Sequence, residues 1–388
     1  MLTRRTRQLR PLGARRALAR VALVLAVLGT LGSALPADAQ NCRRALFNDS
    51  HFHLTNYIQQ GTDIRAYVGM MGENICRSTL FGIPLQQMWS YSNSGDYAPT
   101  YYLQTDAPLY YYSFTDAYIA TQYRSLPARE RARLDPMITG FNPADMYAVD
   151  HIRRVLETYP GVFSGIGEFT IHKEFVSPKI AGGAASLTDP ALDRILDFAG
   201  EVGMVVIIHN DMDVPFARIN TTPVYLMQMR DLLRRHPNTT IIWAHTGLGR
   251  VVHPTQSQAS ASDAVERNPN HLELLEQMLS DPTLNHLYFD ISWDEVAKYV
   301  NTSPETQSRT ADLFNRYPTR FLFGTDSVAP SSQDDQLRVF HLWDAVFAQL
   351  TPEASLAIRT GNYERLFNAA RAHVRAWERA NVHTQPQR

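Results

Sequence analysis

The sequence lacks the short motifs of two common kinds of active site. No G-x-S-x-G occurs, so the chain offers no nucleophile elbow for serine hydrolase chemistry. It has neither a Walker A motif nor a strand-led G-x-G-x-x-G, and these glycine-rich loops therefore give no reason to expect a nucleotide cofactor. Any catalytic site must be assembled from residues that are far apart along the chain.

The sequence also lacks an apolar run long enough to cross a bilayer. The stretch 21–35 is apolar but shorter than the roughly 20 residues that a transmembrane helix needs. Seven arginines precede it, and Ala37-Asp38-Ala39 follows with the small-x-small pattern of a signal peptidase site. We expect a signal peptide over 1–39, a single domain over 40–388, a periplasmic or secreted protein, and no stable membrane anchor after cleavage. Arginine pairs in the leader resemble a twin-arginine signal, and the choice of Sec or Tat route stays open.

Cysteine is scarce, with Cys42 and Cys76 as the two examples. In an exported protein, two thiols favour one disulfide, and both residues are expected at the same end of the fold. Two unpaired buried thiols are the alternative.

An excess of positive charge is absent as well. The whole chain has 37 Lys+Arg and 38 Asp+Glu; the leader removes seven arginines and one aspartate, which leaves 30 against 37, a net charge near −7. Such a surface does not attract polyanions, so nucleic acid is not an expected partner. A small-molecule substrate is expected instead, and a homo-oligomer stays open.

What the sequence does contain is a repeated alternation of apolar strand and amphipathic helix. Many of the strand runs are apolar throughout, as expected for parallel strands covered on both faces. The alternation predicts an α/β fold, a (β/α)₈ TIM barrel, with a doubly wound sheet as the alternative. The eight predicted strands are 44–50, 78–85, 135–141, 161–169, 203–211, 239–247, 286–292 and 320–327.

One segment departs from this rhythm. Residues 89–123, after the second predicted strand, contain nine of the 18 tyrosines. We interpret the segment as a Tyr-rich insertion, either an aromatic lid over the barrel mouth or a covering layer whose hydroxyls face water.

Polar residues stand where the apolar runs stop. His51 and His53 are one residue apart after the first predicted strand, so their side chains point the same way. The carboxyl ends of barrel strands form one mouth, where active sites lie. The side chains expected to converge there are His51, His53, Glu168, His209, His245 and Asp326.

Imidazole and carboxylate ligands without thiolate favour zinc, with manganese or iron as alternatives. A divalent ion lowers the pKa of bound water from about 15.7 to about 7, and Asp326 is the expected general base and acid. Asp326 as a helix cap and Glu168 paired with an arginine or lysine are the structural alternatives. Five further residues near the mouth are expected to be loop residues without a catalytic role: His172, Lys173, Arg218, Trp293 and Asp294.

The words "DSHFHL", "GIGEF", "IIHND", "WAHTGLG", "FGTDS" and "GNYERLF" resemble the amidohydrolase superfamily, in its amidohydrolase-related branch, over about residues 44–370. This resemblance implies that His51, His53 and Asp326 bind a metal. It also implies that His209 and His245 bind a second ion, or that His209 joins the first while His245 polarises the substrate. Glu168 falls where many members have a bridging ligand, so one or two ions stay open.

The resemblance implies a metal-dependent hydrolase that acts on an amide, ester or lactone bond of a small substrate, with aromatic substrates included. A metal-dependent non-oxidative decarboxylase of an aromatic or related acid is the first alternative. A phosphoesterase or nuclease, and a binding protein without turnover, are the others. The acidic charge of the mature chain disfavours the nuclease.

Overall fold

Eight parallel strands lie side by side in chain order in a computed structural model that describes residues 44–215, 222–250 and 271–382. The main sheet has the order β1-β3-β6-β7-β8-β9-β10-β11, and the remaining strands form two small sheets, β2 with β12 and β4 with β5. The strands are β1 (Phe47–Asp49), β2 (Phe52–His53), β3 (Ile75–Leu80), β4 (Leu85–Gln87), β5 (Leu109–Tyr111), β6 (Leu134–Ile138), β7 (Gly165–Thr170), β8 (Val205–His209), β9 (Thr240–Trp243), β10 (Leu287–Asp290), β11 (Phe321–Leu322) and β12 (Ser327–Val328).

The first and last strands meet and close the ring. β2 continues β1 after two residues, β12 follows β11, and β2 and β12 pair in parallel. The backbone N–H of Ser50 donates to the carbonyl of Phe323 at 3.0 Å, and that of Asp326 donates to the carbonyl of His51 at 2.9 Å. The predicted (β/α)₈ barrel is confirmed, and the doubly wound sheet is wrong.

Helices follow the strands and cover the outside of the ring. The helix Pro190–Val202 shows the residues that start and end these helices. Asp189 precedes Pro190 in the first turn, and Gly203 ends the helix in a left-handed conformation. The helices are α1 (Ile64–Met71), α2 (Tyr91–Ser94), α3 (Phe114–Ser125), α4 (Ala128–Arg131), α5 (Ala148–Thr158), α6 (Pro190–Val202), α7 (Val224–Arg235), α8 (His271–Leu279), α9 (Asp294–Val300), α10 (Pro304–Arg316), α11 (Gln333–His341), α12 (Asp344–Phe347), α13 (Pro352–Leu356) and α14 (Asn362–Asn381).

The second barrel strand is placed differently from the prediction. β3 begins at Ile75, three residues before the predicted start, because Ile75 pairs with Phe47 of β1. The chain after Leu80 leaves the barrel, and β4 forms an antiparallel pair with β5. The Tyr-rich segment 89–123 lies between β3 and β6 and contains α2, β5 and most of α3.

Two parts of the chain can be separated, Met1–Arg44 and Ala45–Arg388. The predicted signal peptide 1–39, the domain start at 40 and Cys42 lie outside the described residues. Cys76 is disulfide-bonded. Within the described ranges, no helix combines the length and the apolar character that a membrane crossing requires.

Candidate metal centre

The barrel brings all six predicted site residues to the carboxyl ends of its strands. His51 and His53 follow β1, and the other four stand at the ends of β7, β8, β9 and β11. Their side chains are almost entirely buried, with Asp326 at 14 % exposure as the most open. The other five are at most 5 % exposed.

Two imidazole nitrogens and two carboxylate oxygens lie close together at the barrel mouth. The Nε2 atom of His51 lies 3.7 Å from Glu168 Oε2 and 3.5 Å from Asp326 Oδ1. The Nε2 atom of His53 lies 3.4 Å and 3.3 Å from the same two oxygens. Ligands about 2.0–2.2 Å from a tetrahedral zinc ion are about 3.3–3.6 Å apart, and these four distances between imidazoles and carboxylates are close to that spacing.

Four buried histidine ring nitrogens have no hydrogen-bond partner among the described residues, and two of them lie beside the carboxylates of the cluster. These two atoms are His51 Nε2 and His245 Nε2. A buried polar atom without a partner costs free energy, and a metal ion supplies the missing contact. His51 and His245 also form a ligand group with Asp326, in which the ligand atoms lie within 4.8 Å of one another.

Asp290 at the end of β10 sets the orientation of both rings, and sequence reasoning missed it. Its Oδ2 accepts from His51 Nδ1 at 2.9 Å, and its Oδ1 accepts from the backbone N–H of His245 at 2.8 Å. Ser292 donates its hydroxyl to Asp290 Oδ1 and lies 2.8 Å from His245 Nδ1. In this network both Nδ1 atoms carry the proton, and both Nε2 lone pairs face the centre. The available signal was a buried strand that ends in Asp, "LYFD".

Glu168 lies between two pairs of histidines, His51 with His53 and His209 with His245, and presents one oxygen to each pair. Oε2 faces His51 and His53, whereas Oε1 lies 3.4 Å from His245 Nε2 and 2.6 Å from His209 Nδ1. Two ligands of one ion are about 3 Å apart even at right angles, so the 2.6 Å contact is a hydrogen bond. The second ring nitrogen of His209 lies 3.2 Å from Asp211. The ligand atoms of Glu168, His209 and His245 also lie within 4.8 Å of one another, and in this structure His209 is a hydrogen-bond partner of Glu168.

The charges of the cluster balance one another. Burial alone would lower the pKa of His51, but the carboxylates of Asp290 and Glu168 raise it well above its ordinary value. Burial would raise the pKa of Asp326, yet the three imidazoles nearby hold it below its usual range. Burial and the charge of Lys173 lower the pKa of His209 to about 3, so this ring is neutral. Neutral imidazole and ionised carboxylate are the forms that bind metal.

Close backbone approaches place these side chains. Gly324 lies against β1, and a β-carbon there would be 2.9 Å from the β-carbon of His51. Gly167 has a φ of 115°, and a β-carbon there would collide with the carbonyl oxygen of Ile207. His245 and Asp326 both have a φ of 54°, a left-handed conformation that costs free energy in non-glycine residues and often marks functional sites.

Two residues expected to be plain loop residues lie beside the centre. The ring of Trp293 is 5.3 Å from that of His245, and the Lys173 ammonium interacts electrostatically with Glu168 and Asp326. Burial lowers the pKa of Lys173, but nearby phenol and carboxylate groups raise it more. The sequence did not reveal this, because Lys173 follows β7 by three residues and only the loop path turns it inward.

The other three residues of that set behave differently. The ring of His172 stacks on Tyr225 with centroids 3.7 Å apart, and Asp294 pairs with Lys298 at 2.8 Å. Arg218 lies outside the described residues. These contacts agree with structural roles for His172 and Asp294.

Neither structural alternative for the two carboxylates describes the site. The Asp326 carboxylate faces the rings of His51 and His53 and precedes β12, not a helix. Among the described residues, no arginine or lysine lies within 4.0 Å of Glu168.

The tyrosines of the segment 89–123 differ in exposure. Tyr102 is buried and packs against Tyr57 with ring centroids 5.1 Å apart. Tyr91 and Tyr97 are exposed to solvent. The segment therefore contains both buried and exposed rings, and its interpretation as a lid or as a covering layer stays a prediction.

Comparison with known proteins gave a family match. The model of a protein family described as amidohydrolase matches residues 49–369. No curated protein matched the chain.

Several solved structures are similar to the chain at low identity. One is an amidohydrolase from Burkholderia multivorans with bound zinc, at 14% identity and a TM-score of 0.49, covering 84% of this chain and 99% of that one. Another is a proposed 2-pyrone-4,6-dicarboxylic acid hydrolase from Pseudomonas putida, at 14% identity and a TM-score of 0.47. The match covers 84% of this chain and 98% of that one. A third is 5-carboxyvanillate decarboxylase from Sphingomonas paucimobilis, at 13% identity and a TM-score of 0.35. That match covers 66% of this chain and 71% of the other.

Proposed function

Because the chain belongs to the amidohydrolase family, we propose that it is a hydrolase that depends on one divalent metal ion, with zinc as the first choice. Its substrate is a small molecule with an ester, lactone or amide bond, and nucleic acid is not a partner. The observation that supports this function most directly is that two imidazole nitrogens each lie 3.3–3.7 Å from two carboxylate oxygens at the barrel mouth. The leader over 1–39 supports export to the periplasm or the medium.

The residues that would hold the ion are His51, His53, Glu168 and Asp326, with His245 next to them. When bound, the ion would supply Lewis acidity toward water and the reacting carbonyl. Asp290 keeps the His51 ring in the tautomer that the ion requires. His209 donates to Glu168 and fixes the direction of its carboxylate.

Asp326 is the group that moves the proton. Its pKa is held below the usual range, so it is ionised at neutral pH and can accept a proton from the attacking water. It is also the most exposed of the six side chains, which places it where substrate arrives. The same carboxyl then returns the proton to the leaving group. In the tautomer set by Ser292, His245 Nε2 presents a lone pair, so it can polarise the substrate carbonyl only after taking up a proton.

The test combines metal analysis with turnover. The mature protein is purified, its metal is quantified by mass spectrometry, and wild type and Asp326→Asn are assayed on phenyl esters, lactones and aromatic acids. We expect one equivalent of metal and ester or lactone turnover that falls by two or more orders of magnitude in Asp326→Asn. Metal-free protein that is fully active, or a variant with unchanged kcat, would contradict the proposal.

A non-oxidative decarboxylase of an aromatic or related acid is the second candidate. The Lys173 ammonium, which interacts electrostatically with the carboxylates of the centre and has no ion pair within 4.0 Å among the described residues, is the observation that favours it, because such an enzyme must bind a carboxylate. Release of CO₂ from an aromatic acid, without hydrolysis of any ester or lactone, would select this reaction over hydrolysis.

A further inference from the structure

Lysine is rare in this chain, and one of the three lysines faces the metal centre. The lysines are Lys173, Lys179 and Lys298, and the other 34 of the 37 basic residues are arginines. A chain that uses arginine for almost every positive charge has a lysine beside its candidate site. Lysine places a compact point charge where the broad guanidinium fork of arginine does not fit.

The other two lysines have partners within the protein. Lys179 donates to the carbonyls of Tyr102 and Thr105 at 2.6 Å and 2.8 Å. Lys298 pairs with Asp294 and Glu295 on the surface of α9. Both therefore have structural or surface roles.

Lys173 differs, because its ammonium makes no hydrogen bond and no ion pair within 4.0 Å to any residue in the described ranges. It is partly buried and interacts at longer range with the carboxylates of Glu168 and Asp326. Both carboxylates belong to the candidate ion site, so they cannot also neutralise the lysine once an ion is bound. A partly buried cation without a counter-ion is costly unless a ligand supplies the negative charge.

A ring of contacts connects Lys173 to the other side of the centre. The ring of His245 lies against Trp293, and the Arg250 guanidinium lies 5.0 Å from the centroid of Trp293. Arg250 reaches the hydroxyl of Tyr102 at 3.5 Å, and Tyr102 packs on Tyr57.

Both phenols interact electrostatically with Lys173. These contacts place the rings of Trp293, Tyr102 and Tyr57 in one connected set that includes the neighbours of His245 and of Lys173. Arg250 already pairs with Glu295 at 3.3 Å, so among the described residues of this set Lys173 is the cation without an ion pair.

We propose that Lys173 binds a carboxylate of the substrate, so that the enzyme selects flat, carboxylate-bearing esters or lactones over their neutral analogues. This inference rests on the proposed function and names the substrate class of the same site. The aromatic walls formed by Trp293 and Tyr102 favour a planar ring between the carboxylate and the reacting bond.

The experiment measures binding and turnover separately. Benzoate and benzamide are titrated into the zinc-loaded mature protein by isothermal calorimetry, in wild type, Lys173→Met, Lys173→Gln, Lys173→Arg and the surface control Lys298→Met. The same proteins are assayed on phenyl acetate and 3-carboxyphenyl acetate. Circular dichroism and zinc content establish that each variant is folded and loaded.

We expect wild type and Lys298→Met to bind benzoate at least about tenfold more tightly than benzamide. Lys173→Arg should retain part of this preference, and Lys173→Met and Lys173→Gln should lose it. The kcat/KM ratio of 3-carboxyphenyl acetate to phenyl acetate should fall in parallel in the Lys173 variants and stay unchanged in the surface control Lys298→Met. A wild type without preference, or a preference that survives in Lys173→Met and Lys173→Gln, overturns the inference, since benzoate would then be held by the metal alone.

The two proposals fail in different ways. If no ester is hydrolysed but the benzoate preference depends on Lys173, hydrolysis is wrong and the carboxylate site stands. If esters are hydrolysed without regard to their charge, the hydrolase stands and the carboxylate site is wrong.

Discussion

Replacing Asp290 by Asn should weaken metal binding although Asp290 is not itself expected to bind the ion. The backbone N–H of His245 and the hydroxyl of Ser292 both donate to Oδ1, so the amide oxygen of the variant should occupy that position. The amide NH₂ then faces His51 Nδ1, which lies 2.9 Å from Oδ2 in the wild type. An N–H group of the amide cannot form a hydrogen bond with the N–H group at Nδ1. The His51 ring must therefore carry its proton on Nε2, the atom that would bind the ion.

The size of this effect follows from the loss of one correctly oriented ligand. Changes to residues that orient metal ligands weaken affinity about 10–100-fold, or about 1.4–2.7 kcal/mol. The assay is competition for zinc with a chromophoric chelator. Asp344→Asn is the matched control, because Asp344 accepts from His341 at 3.0 Å on the exposed surface of the protein. Zinc affinity within twofold of wild type in Asp290→Asn would refute the tautomer argument.

Three further outcomes are expected. Gly324→Ala should destabilise the fold by about 1–3 kcal/mol in urea unfolding, because its β-carbon would lie 2.9 Å from that of His51. Gly69→Ala in α1, where nothing lies within 4 Å, should be neutral or slightly stabilising, and equal effects would contradict the steric argument. Asp135→Asn should cost about 3–5 kcal/mol of unfolding free energy, because it leaves the buried Arg77 and the half-buried Arg371 short of their counter-ion, and a loss below about 1 kcal/mol would be unexpected. Burial lowers the pKa of His271 from 6.5 to about 4, so stability present above pH 6.5 should be lost as the pH falls toward 4. Thermal unfolding between pH 7 and 4 should show a shallower decline in His271→Gln, and parallel curves would argue against that pKa.

Much of the fold could be predicted from local patterns. The apolar runs that became β8 and β9 are covered on both faces, and their residues are buried throughout or nearly so, as parallel strands require. The second strand was misplaced because its start depends on pairing with β1, which is a contact between distant segments.

The candidate site was predictable where position along a strand was sufficient. His51, His53 and Asp326 stand at strand ends, and closure of the barrel necessarily brings such ends to one mouth. His209 shows the limit of this reasoning. It reaches the predicted place, but its ring nitrogens face Glu168 and Asp211, and that choice depends on side-chain partners from neighbouring loops.

The sequence by itself determined the barrel and the set of imidazoles and carboxylates at its mouth, because periodicity and residue type act locally. Only the tertiary structure decided that Asp290 orients two of the rings and that Glu168 divides its oxygens between two pairs of histidines. It also decided that the Lys173 ammonium has no ion pair within 4.0 Å among the described residues. Each of these depends on distances between atoms from different strands and loops, and such distances exist only after the ring of strands has closed.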